Sequence, residues 1–260
     1  MHLENMNEQS NQTQESLKLG SYVKPEVVSV SSTPKVVDTM IISDIHLGAD
    51  VSRSVELLQM LQSYSFKRLI LNGDVFDNLN FKRLDTEAWD FLSYIRMISK
   101  PSRHVEVVWV AGNHDGVADM LSHLLGVQVL DEYKWTFEGV NYLAMHGHQF
   151  DKYVQRNVIM TEIATWSFNK LQKLSKTQDF SRWVKRKSKA LLKISDKISD
   201  YALDYAKHAK VDVITCGHTH VAGVKEKDGI RYFNSGAWTD KPSQFITVDA
   251  KNGMMINNYY

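Results

Sequence analysis

Several features are scarce in this chain of 260 residues, and each scarcity excludes a class of protein. A single cysteine, Cys216, excludes an internal disulfide framework and fits a reducing compartment. No hydrophobic run approaches the ~20 residues of a membrane-spanning helix, and the polar N-terminus lacks the apolar stretch of a secretory signal. The net charge of +1 gives no overall attraction to nucleic acid, although local patches remain open. We therefore expect a cytoplasmic protein for which nucleic acid is not the leading partner.

The composition that is present, 43% hydrophobic and 23% charged, is typical of a globular protein with a sizeable core. Residues 1–36 are rich in Ser, Gln, Asn and Thr, which predicts a flexible polar tail with one short strand at Glu26–Val30. Residues 37–260 then form the domain. Within it, residues 151–207 lack Pro and Gly and predict a helical insert, and Lys170–Lys197 contains ten Lys or Arg against two Asp.

Short β-branched runs alternate with helical patterns through the domain, which predicts an α/β core. Expected strands before the last metal-compatible motif are Thr39–Ser43, Leu69–Asn72, Val105–Val110, Val140–Met145 and Val211–Cys216, and expected helices are 52–64, 84–99 and 117–125. The later strands are Gly223–Val224, Ile230–Asn234, Gln244–Val248 and Met254–Asn257. Loops that follow the strands of such sheets are where their chemistry usually lies.

Five short motifs follow these apolar runs, and each contains residues that bind metals. They are Asp44-Ile45-His46, Gly73-Asp74-Val75-Phe76-Asp77, Gly112-Asn113-His114-Asp115, His146-Gly147-His148 and Gly217-His218-Thr219-His220. Taken alone, each has an ordinary explanation, since a histidine can pack in the core and Asp or Asn can cap a turn. Five such motifs at five strand ends instead predict a binding site for two divalent metal ions.

The residue types indicate which metals and which reaction suit the site. Residues two apart in an extended segment point to the same side, so Asp44 and His46 can reach one ion. Asp74 is a carboxylate that could bridge two ions, and Asn113 offers an amide oxygen. Together with the imidazoles of His146, His218 and His220, this mixed set favours Mn²⁺, Fe, Zn²⁺ or Ni²⁺ over Ca²⁺. Two ions ~3.5–4 Å apart would activate water and clamp phosphoryl oxygens. Because only Asp44 and Asp74 are anionic, two divalent ions leave a surplus of positive charge, which favours a phosphate ester as the substrate.

The order of these motifs resembles that of the calcineurin-like metallophosphoesterase superfamily, over most of residues 38–250. The resemblance implies a four-layer αββα sandwich of two mixed sheets, with a dimetal site at one edge and a helical insert. It implies that one metal ion is held by Asp44, His46, Asp74 and His220, and the other by Asp74, Asn113, His146 and His218. We expect both ions to be Mn²⁺. It also implies that His114 faces the substrate and that Asp115 orients His114.

Further details resemble the branch of UDP-2,3-diacylglucosamine diphosphatases, which cleave a pyrophosphate bond of a lipid A precursor at the inner membrane surface. The similar segments are His146–Asp151, which leads into the basic insert, Cys216–His220 and Asp228–Trp238. Two residues depart from that branch, because its best-known members have Arg at the position of His114 and many have Asp at that of His148. The resemblance implies an enzyme that acts on a nucleotide-diphospho-lipid. The alternative is a nucleotide phosphodiesterase, phosphomonoesterase or nuclease with a soluble substrate. A non-catalytic binding protein of the same fold is a third reading.

Some residues have two open interpretations. Arg53 either contacts a substrate phosphate or is an exposed residue of a first helical turn, and Trp238 either closes the pocket or packs in the core. His148 is either an additional metal or phosphate contact or a tolerated neighbour. The basic insert either contacts anionic membrane lipid or docks on the core as an ordinary helical hairpin.

Overall fold

The computed structural model describes residues 34–116, 122–123, 125–153 and 178–260, with the side chains of 178–190 left out. One sheet contains β1 (Lys35–Ile42), β2 (Tyr64–Asn72), β3 (Glu106–Val110), β4 (Gln128–Leu130), β10 (Ser243–Asp249) and β11 (Gly253–Tyr259). The second sheet contains β5 (Glu132–Phe137), β6 (Val140–Met145), β7 (Val213–Cys216), β8 (Gly223–Lys227) and β9 (Ile230–Asn234). The predicted strand Glu26–Val30, the proposed tail and the 154–177 part of the insert lie outside the described residues.

Both sheets are mixed. The first has the order β11-β10-β1-β2-β3-β4, in which β1 to β4 are parallel, β10 pairs antiparallel with β1, and β11 pairs antiparallel with β10. The second has the order β5-β6-β7-β9-β8, in which β6, β7 and β9 are parallel. The carboxyl ends of β1, β2 and β3 therefore share one edge of the first sheet, and those of β6, β7 and β9 share one edge of the second.

Three helices cover the outer faces of the two sheets in the described part of the chain. They are α1 (Ser54–Gln62), α2 (Thr86–Ile98) and α3 (Gln178–Ala209), and none is long and apolar enough to cross a membrane. The Asp85 carboxylate caps α2 by accepting a hydrogen bond of 2.8 Å from the Ala88 N–H, which satisfies one of the first unpaired donors of that helix. The first two helices match the predicted 52–64 and 84–99, while most of the predicted helix 117–125 lies outside the described residues.

Successive side chains of each strand point to opposite faces of its sheet, which divides the core into layers. Met40 and Ile42 pack with α1 and α2, whereas Ile41 packs between the two sheets. On the other side, Ile198 and Ala202 of α3 pack against the outer face of the second sheet. The order helix, sheet, sheet, helix confirms the predicted αββα sandwich of two mixed sheets.

Strands β4 and β5 were not among the predicted elements. Strand β5 does alternate, with Trp135 buried between exposed Lys134 and Thr136. It turns into β6 through Glu138 and Gly139, which both have positive φ (49° and 74°), as a tight two-residue hairpin requires. Glu is uncommon at such a position, so the residues at this turn gave a weak hairpin signal.

Candidate metal centre

Backbone hydrogen bonds join the first two motif loops to each other and the last two motif loops to each other. The N–H of Asp44 donates to the carbonyl of Gly73 at 3.0 Å, and the N–H of His46 donates to the carbonyl of Asp74 at 3.0 Å. In the second sheet, the N–H of Gly217 donates to the carbonyl of His146 at 2.9 Å. Adjacent loops are thus fixed to each other by their main chains, independently of any side chain.

The first side-chain cluster consists of Asp44, His46 and His220, whose donor atoms lie within 4.8 Å of one another. The Nε2 of His220 is 3.2 Å from an Asp44 carboxylate oxygen and 3.3 Å from the Nε2 of His46. Asp44 and His46 are almost fully buried. Two buried imidazole nitrogens facing each other beside a carboxylate form an arrangement that a bound cation would stabilise.

The second cluster consists of Asp74, His146 and His218, again within 4.8 Å. The Nε2 of His146 lies 3.3 Å from Oδ2 of Asp74, at a geometry that does not make a hydrogen bond. Its Nδ1 is 2.9 Å from the carbonyl oxygen of Asn72, so in the neutral ring that binds a metal Nδ1 carries the proton and Nε2 has the lone pair. Oδ2 of Asp74 also lies 3.9 Å from the Nε2 of His46, which places this carboxylate between the two clusters.

The electrostatics of the clusters follow from burial and from the pairing of acids with imidazoles. Burial would raise the pKa of Asp44, but the nearby His220 outweighs it, so the pKa is lowered. Burial would lower the pKa of His146, yet Asp74 raises it to about 10. His46 differs, because burial and then the neighbouring His220 lower its pKa to about 4. In the absence of metal, Asp44 with His220 and Asp74 with His146 therefore form ion pairs, beside the neutral imidazole of His46.

The backbone of these loops is unusual for residues with side chains. Positive φ angles between 50° and 66° occur at five of the seven predicted ligands, namely Asp44, His46, Asp74, His218 and His220. Such angles cost of order 1–3 kcal/mol each and tend to occur at functional sites. Gly112 has no room for a side chain, since a Cβ there would collide with the backbone nitrogen and Oδ1 of Asp74. The loops are thus packed directly against the ligand carboxylate.

The donor set fits two divalent ions. Metal–ligand bonds of about 2.0–2.2 Å place neighbouring donor atoms roughly 3.0–3.5 Å apart, which matches the distances of 3.2 and 3.3 Å within the two clusters. Nitrogen and oxygen donors together suit Mn²⁺, Fe, Zn²⁺ or Ni²⁺. Asn113 lies in an exposed loop position between Gly112 and His114, whose N–H groups donate to Asp115 and Asp74. The assignment of individual ligands stays a prediction.

His114 lies beside the first cluster, with its ring centroid 5.2 Å from that of His46. Its Nδ1 is 2.6 Å from the carbonyl oxygen of Asp77, and its backbone N–H donates to Oδ1 of Asp74 at 2.9 Å. The Asp77 carbonyl provides this contact, so the orientation of His114 by Asp115 that the resemblance implied stays a prediction. The buried Asp115 carboxylate instead accepts hydrogen bonds from Val75, Phe76, Trp109 and Gly112.

The structure bears on the two open interpretations of Arg53 and on those of Trp238. Arg53 is 7% exposed, and its guanidinium donates to Glu56, to Ser243 Oγ at 2.6 Å and to the carbonyl of Asp240. It is neither an exposed residue nor a free phosphate ligand, because its donors are used within the fold. Trp238 is fully buried and packs against Phe245, so it belongs to the core.

The second cluster continues into the short 3₁₀ helix His148–Tyr153. The ring of His148 lies 5.5 Å from that of His146, and burial followed by the neighbouring His146 lowers its pKa to about 4. Asp151 contacts Nε2 of His218 at 2.8 Å, a role that the sequence analysis did not assign. Asp77 joins His46 and His114 in a third group of donors within 4.8 Å. The second aspartate of Gly73–Asp77 was the available signal for it.

Comparisons with known proteins place this geometry in context. Among solved structures, the chain is similar to a novel archaeal phosphodiesterase (15% identity, TM-score 0.47), covering 85% of this chain and 98% of that one. It is similar to YfcE, a phosphoesterase from E. coli (16%, 0.46, 82% and 88%), and to wild-type Vps29 complexed with Zn²⁺ from Entamoeba histolytica (14%, 0.44, 85% and 97%). No curated protein matches the sequence.

The family model of the calcineurin-like phosphoesterase superfamily domain matches residues 38–253. That range begins within β1, ends at the start of β11 and includes every loop of the two clusters. With this match over most of its length, and with the αββα fold and the paired Asp and His clusters at the sheet edges, the chain belongs to the calcineurin-like phosphoesterase superfamily.

Proposed function

We propose that this protein hydrolyses a phosphodiester or pyrophosphate bond with the help of two divalent metal ions. The observation that carries the proposal is the position of Asp74, whose Oδ2 lies 3.3 Å from His146 of one cluster and 3.9 Å from His46 of the other. A carboxylate between two sets of donors is suited to share two ions. Membership of a phosphoesterase superfamily supports phosphate esters as the substrate class.

Each ion would have its own protein ligands in addition to Asp74. Asp44, His46 and His220 would hold one ion, and Asn113, His146 and His218 would hold the other. Bound there, the pair would act as Lewis acids that lower the pKa of water and neutralise phosphoryl charge. The site is enclosed by buried side chains on the protein side, so these charges are poorly screened and their attraction for a phosphate is strong.

His114 is placed to act on the substrate itself. With Nδ1 donating to the carbonyl of Asp77, its Nε2 is left for the substrate. In its protonated form, Nε2 would donate a proton to the oxygen that leaves phosphorus, as the new bond forms between phosphorus and the oxygen of water. The backbone contact with Asp74 fixes how far His114 lies from the metal ligands.

Metal analysis and turnover of a generic aryl phosphodiester by the Mn²⁺-loaded protein test the proposal. The wild-type protein should bind two ions and turn over the substrate. Asp74→Ala should lose both metal and activity, because it removes the shared carboxylate, whereas His114→Ala should keep two ions and lose rate. Metal binding without turnover in the wild type would favour the non-catalytic reading, and two ions retained in Asp74→Ala would contradict the assignment of Asp74.

Turnover in oxygen-18 water tests the bond that breaks. Attack of water on phosphorus places the label in the phosphoryl product, and label in the released alcohol would refute this route. Cys216 is not suited to act as a covalent nucleophile, because it is buried and burial raises the pKa of its thiol well above the ordinary value.

The substrate that we favour is a nucleotide-diphospho-lipid similar to UDP-2,3-diacylglucosamine, and the support is the motif similarity at His146–Asp151 and Asp228–Trp238. The alternative is a soluble nucleotide, phosphomonoester or nucleic acid. A mass-spectrometric screen of a lipid and nucleotide-sugar panel with Mn²⁺-loaded protein separates the two. Turnover confined to water-soluble substrates would exclude the lipid.

Contact with an anionic membrane would rest on the first half of α3, where the cations of the insert have side chains outside the described residues. In the described second half, Asp196 and Asp200 lie 2.7 and 2.8 Å from Lys225, and Lys193 and Lys197 are exposed. Liposome co-sedimentation tests whether the cations of the helix contact lipid. Equal binding of anionic vesicles by the wild type and by a variant with Lys185, Arg186, Lys187 and Lys189 changed to Glu would exclude a membrane role.

A further inference from the structure

Asp151 lies directly against one of the predicted metal ligands. Its two carboxylate oxygens are 2.8 and 3.0 Å from the Nε2 of His218. The His218 side chain is 9% exposed and that of Asp151 is 27% exposed, so water competes only partly for this contact. The pair joins the His148–Tyr153 turn to the loop that follows β7.

The turn that carries Asp151 is fixed by its own contacts. The N–H of Phe150 donates to the carbonyl of Gly147 at 3.1 Å, and the side-chain oxygen of Gln149 accepts from the Gly147 N–H at 2.9 Å. Phe150 is 4% exposed and packs in one cluster with Ile194 and Ile198 of α3. The packing of Phe150 and the hydrogen bonds of Phe150 and Gln149 with Gly147 therefore fix the turn in which Asp151 lies.

The chemistry of this contact decides which nitrogen of His218 can bind a metal. A carboxylate can only accept a hydrogen bond, so the proton of a neutral His218 ring lies on Nε2. The lone pair is then on Nδ1, which leaves Nδ1 as the donor for an ion shared with Asp74 and His146. His146 has the opposite arrangement, because its Nδ1–H faces the carbonyl of Asn72 at 2.9 Å.

We propose that Asp151 is a positioning residue that holds His218 as its Nε2–H tautomer, so that Nδ1 binds the metal ion shared with Asp74 and His146. The inference rests on the metal centre of the proposed function and adds a residue to it. Partners of this kind orient a ligand and raise its basicity, and their loss typically weakens metal binding by about 10–100-fold. Asp151 would thereby couple the position of the His148–Tyr153 turn to the affinity of one of the two ions.

Nitrogen NMR of protein labelled with ¹⁵N-histidine tests the tautomer directly in the metal-free and Zn²⁺-loaded states. We expect His218 to show a protonated Nε2 and, with Zn²⁺, a metal-shifted Nδ1, whereas Zn²⁺-loaded His146 shows a protonated Nδ1 and a metal-shifted Nε2. A metal-shifted Nε2 at His218 would overturn the inference, because Asp151 would then have to move away or bind the ion itself. This measurement uses the wild-type protein and does not depend on the folding of a variant.

Titration of metal into Asp151→Asn, followed by calorimetry and metal analysis, tests the consequence for affinity. One of the two ions should bind about 10–100-fold more weakly, while the ion at Asp44, His46 and His220 keeps its affinity. Asp131→Asn is the matched control, since Asp131 is an exposed aspartate whose carbonyl accepts from Gln149 of the same turn, and it should bind both ions as the wild type does. Wild-type protein that binds no divalent ion would refute the proposed function itself. Two ions bound with unchanged affinity in Asp151→Asn would refute only the role of Asp151.

Discussion

Replacing Asp115 by alanine should destabilise the fold strongly, because one buried carboxylate satisfies four hydrogen-bond donors. Asp115 is 1% exposed. Oδ1 accepts from the N–H groups of Val75 and Phe76 at 3.0 and 3.2 Å. Oδ2 accepts from Nε1 of Trp109 at 3.1 Å and from the N–H of Gly112 at 3.0 Å. These donors belong to the loop after β2, to β3 and to the loop after β3.

The expected loss follows from the donors left without partners. A buried donor with no acceptor costs about 1–3 kcal/mol, and water that enters the vacated space can satisfy some of the four. Burial, and then the charge of Asp74, raise the pKa of Asp115, so removal of its charge returns part of the loss. We therefore expect a decrease of about 4 kcal/mol in the free energy of unfolding, out of a total of ~5–15 kcal/mol for a typical protein.

Urea unfolding of the metal-free protein, followed by far-ultraviolet circular dichroism, measures this change without reliance on Trp109 fluorescence. Asp249→Ala is the matched control. Asp249 accepts from the N–H groups of Lys251 and Asn252 at 2.8 and 2.7 Å and from the Asn252 side chain, but in an exposed turn where water can replace it. Its loss should cost less than about 1 kcal/mol. Equal losses in the two variants would refute the reasoning, because burial and not the number of hydrogen bonds is what distinguishes them.

Three further predictions follow from the same site. Gly112→Ala should reduce metal occupancy, measured by elemental analysis, because its Cβ would displace Asp74; full occupancy would contradict the close approach. Metal binding at pH 7 should release at least one proton, since the pKa of His146 is raised to about 10 and that of His220 is also raised, and both must lose their protons to bind an ion. Calorimetry in buffers of different ionisation enthalpy counts the protons, and heats independent of buffer would exclude the release. Cys216 should resist thiol reagents at pH 8 until the protein unfolds, because burial raises its pKa; rapid labelling of the native protein would show that it is accessible.

The αββα architecture could be predicted because apolar runs of the right length alternate with amphipathic helices. The run before Asp44 is buried on both faces, with Met40 against the helices and Ile41 between the sheets, and a continuous apolar run is the pattern of such a strand. The residues at which helices and strands begin and end were less predictable. Strand β2 begins at Tyr64, within the helix predicted for 52–64, because α1 already ends at Gln62 and the chain reverses at Ser63.

The ligand types could be predicted from strand ends alone, since parallel strands carry their following loops to one edge. The partners that orient these residues could not. The contact of His114 with the carbonyl of Asp77 depends on main-chain geometry, which the identity of a residue does not reveal. From the sequence, Arg53 could be an exposed residue at the start of a helix. Its guanidinium instead donates to Ser243 and Asp240, which lie near the other end of the chain. Contacts between residues so far apart in sequence depend on how the loops close.

The backbone of the site indicates how the protein can hold this geometry without a metal. Residues such as Asp44, His46 and Asp74 adopt positive φ angles that cost of order 1–3 kcal/mol each. The loops compensate through mutual main-chain hydrogen bonds, including those from Asp44 to Gly73 and from Leu47 to Val75 at 3.0 and 2.8 Å. Asp115 adds further bonds to the same loops. The strained conformation is thus supported by hydrogen bonds among the loops themselves.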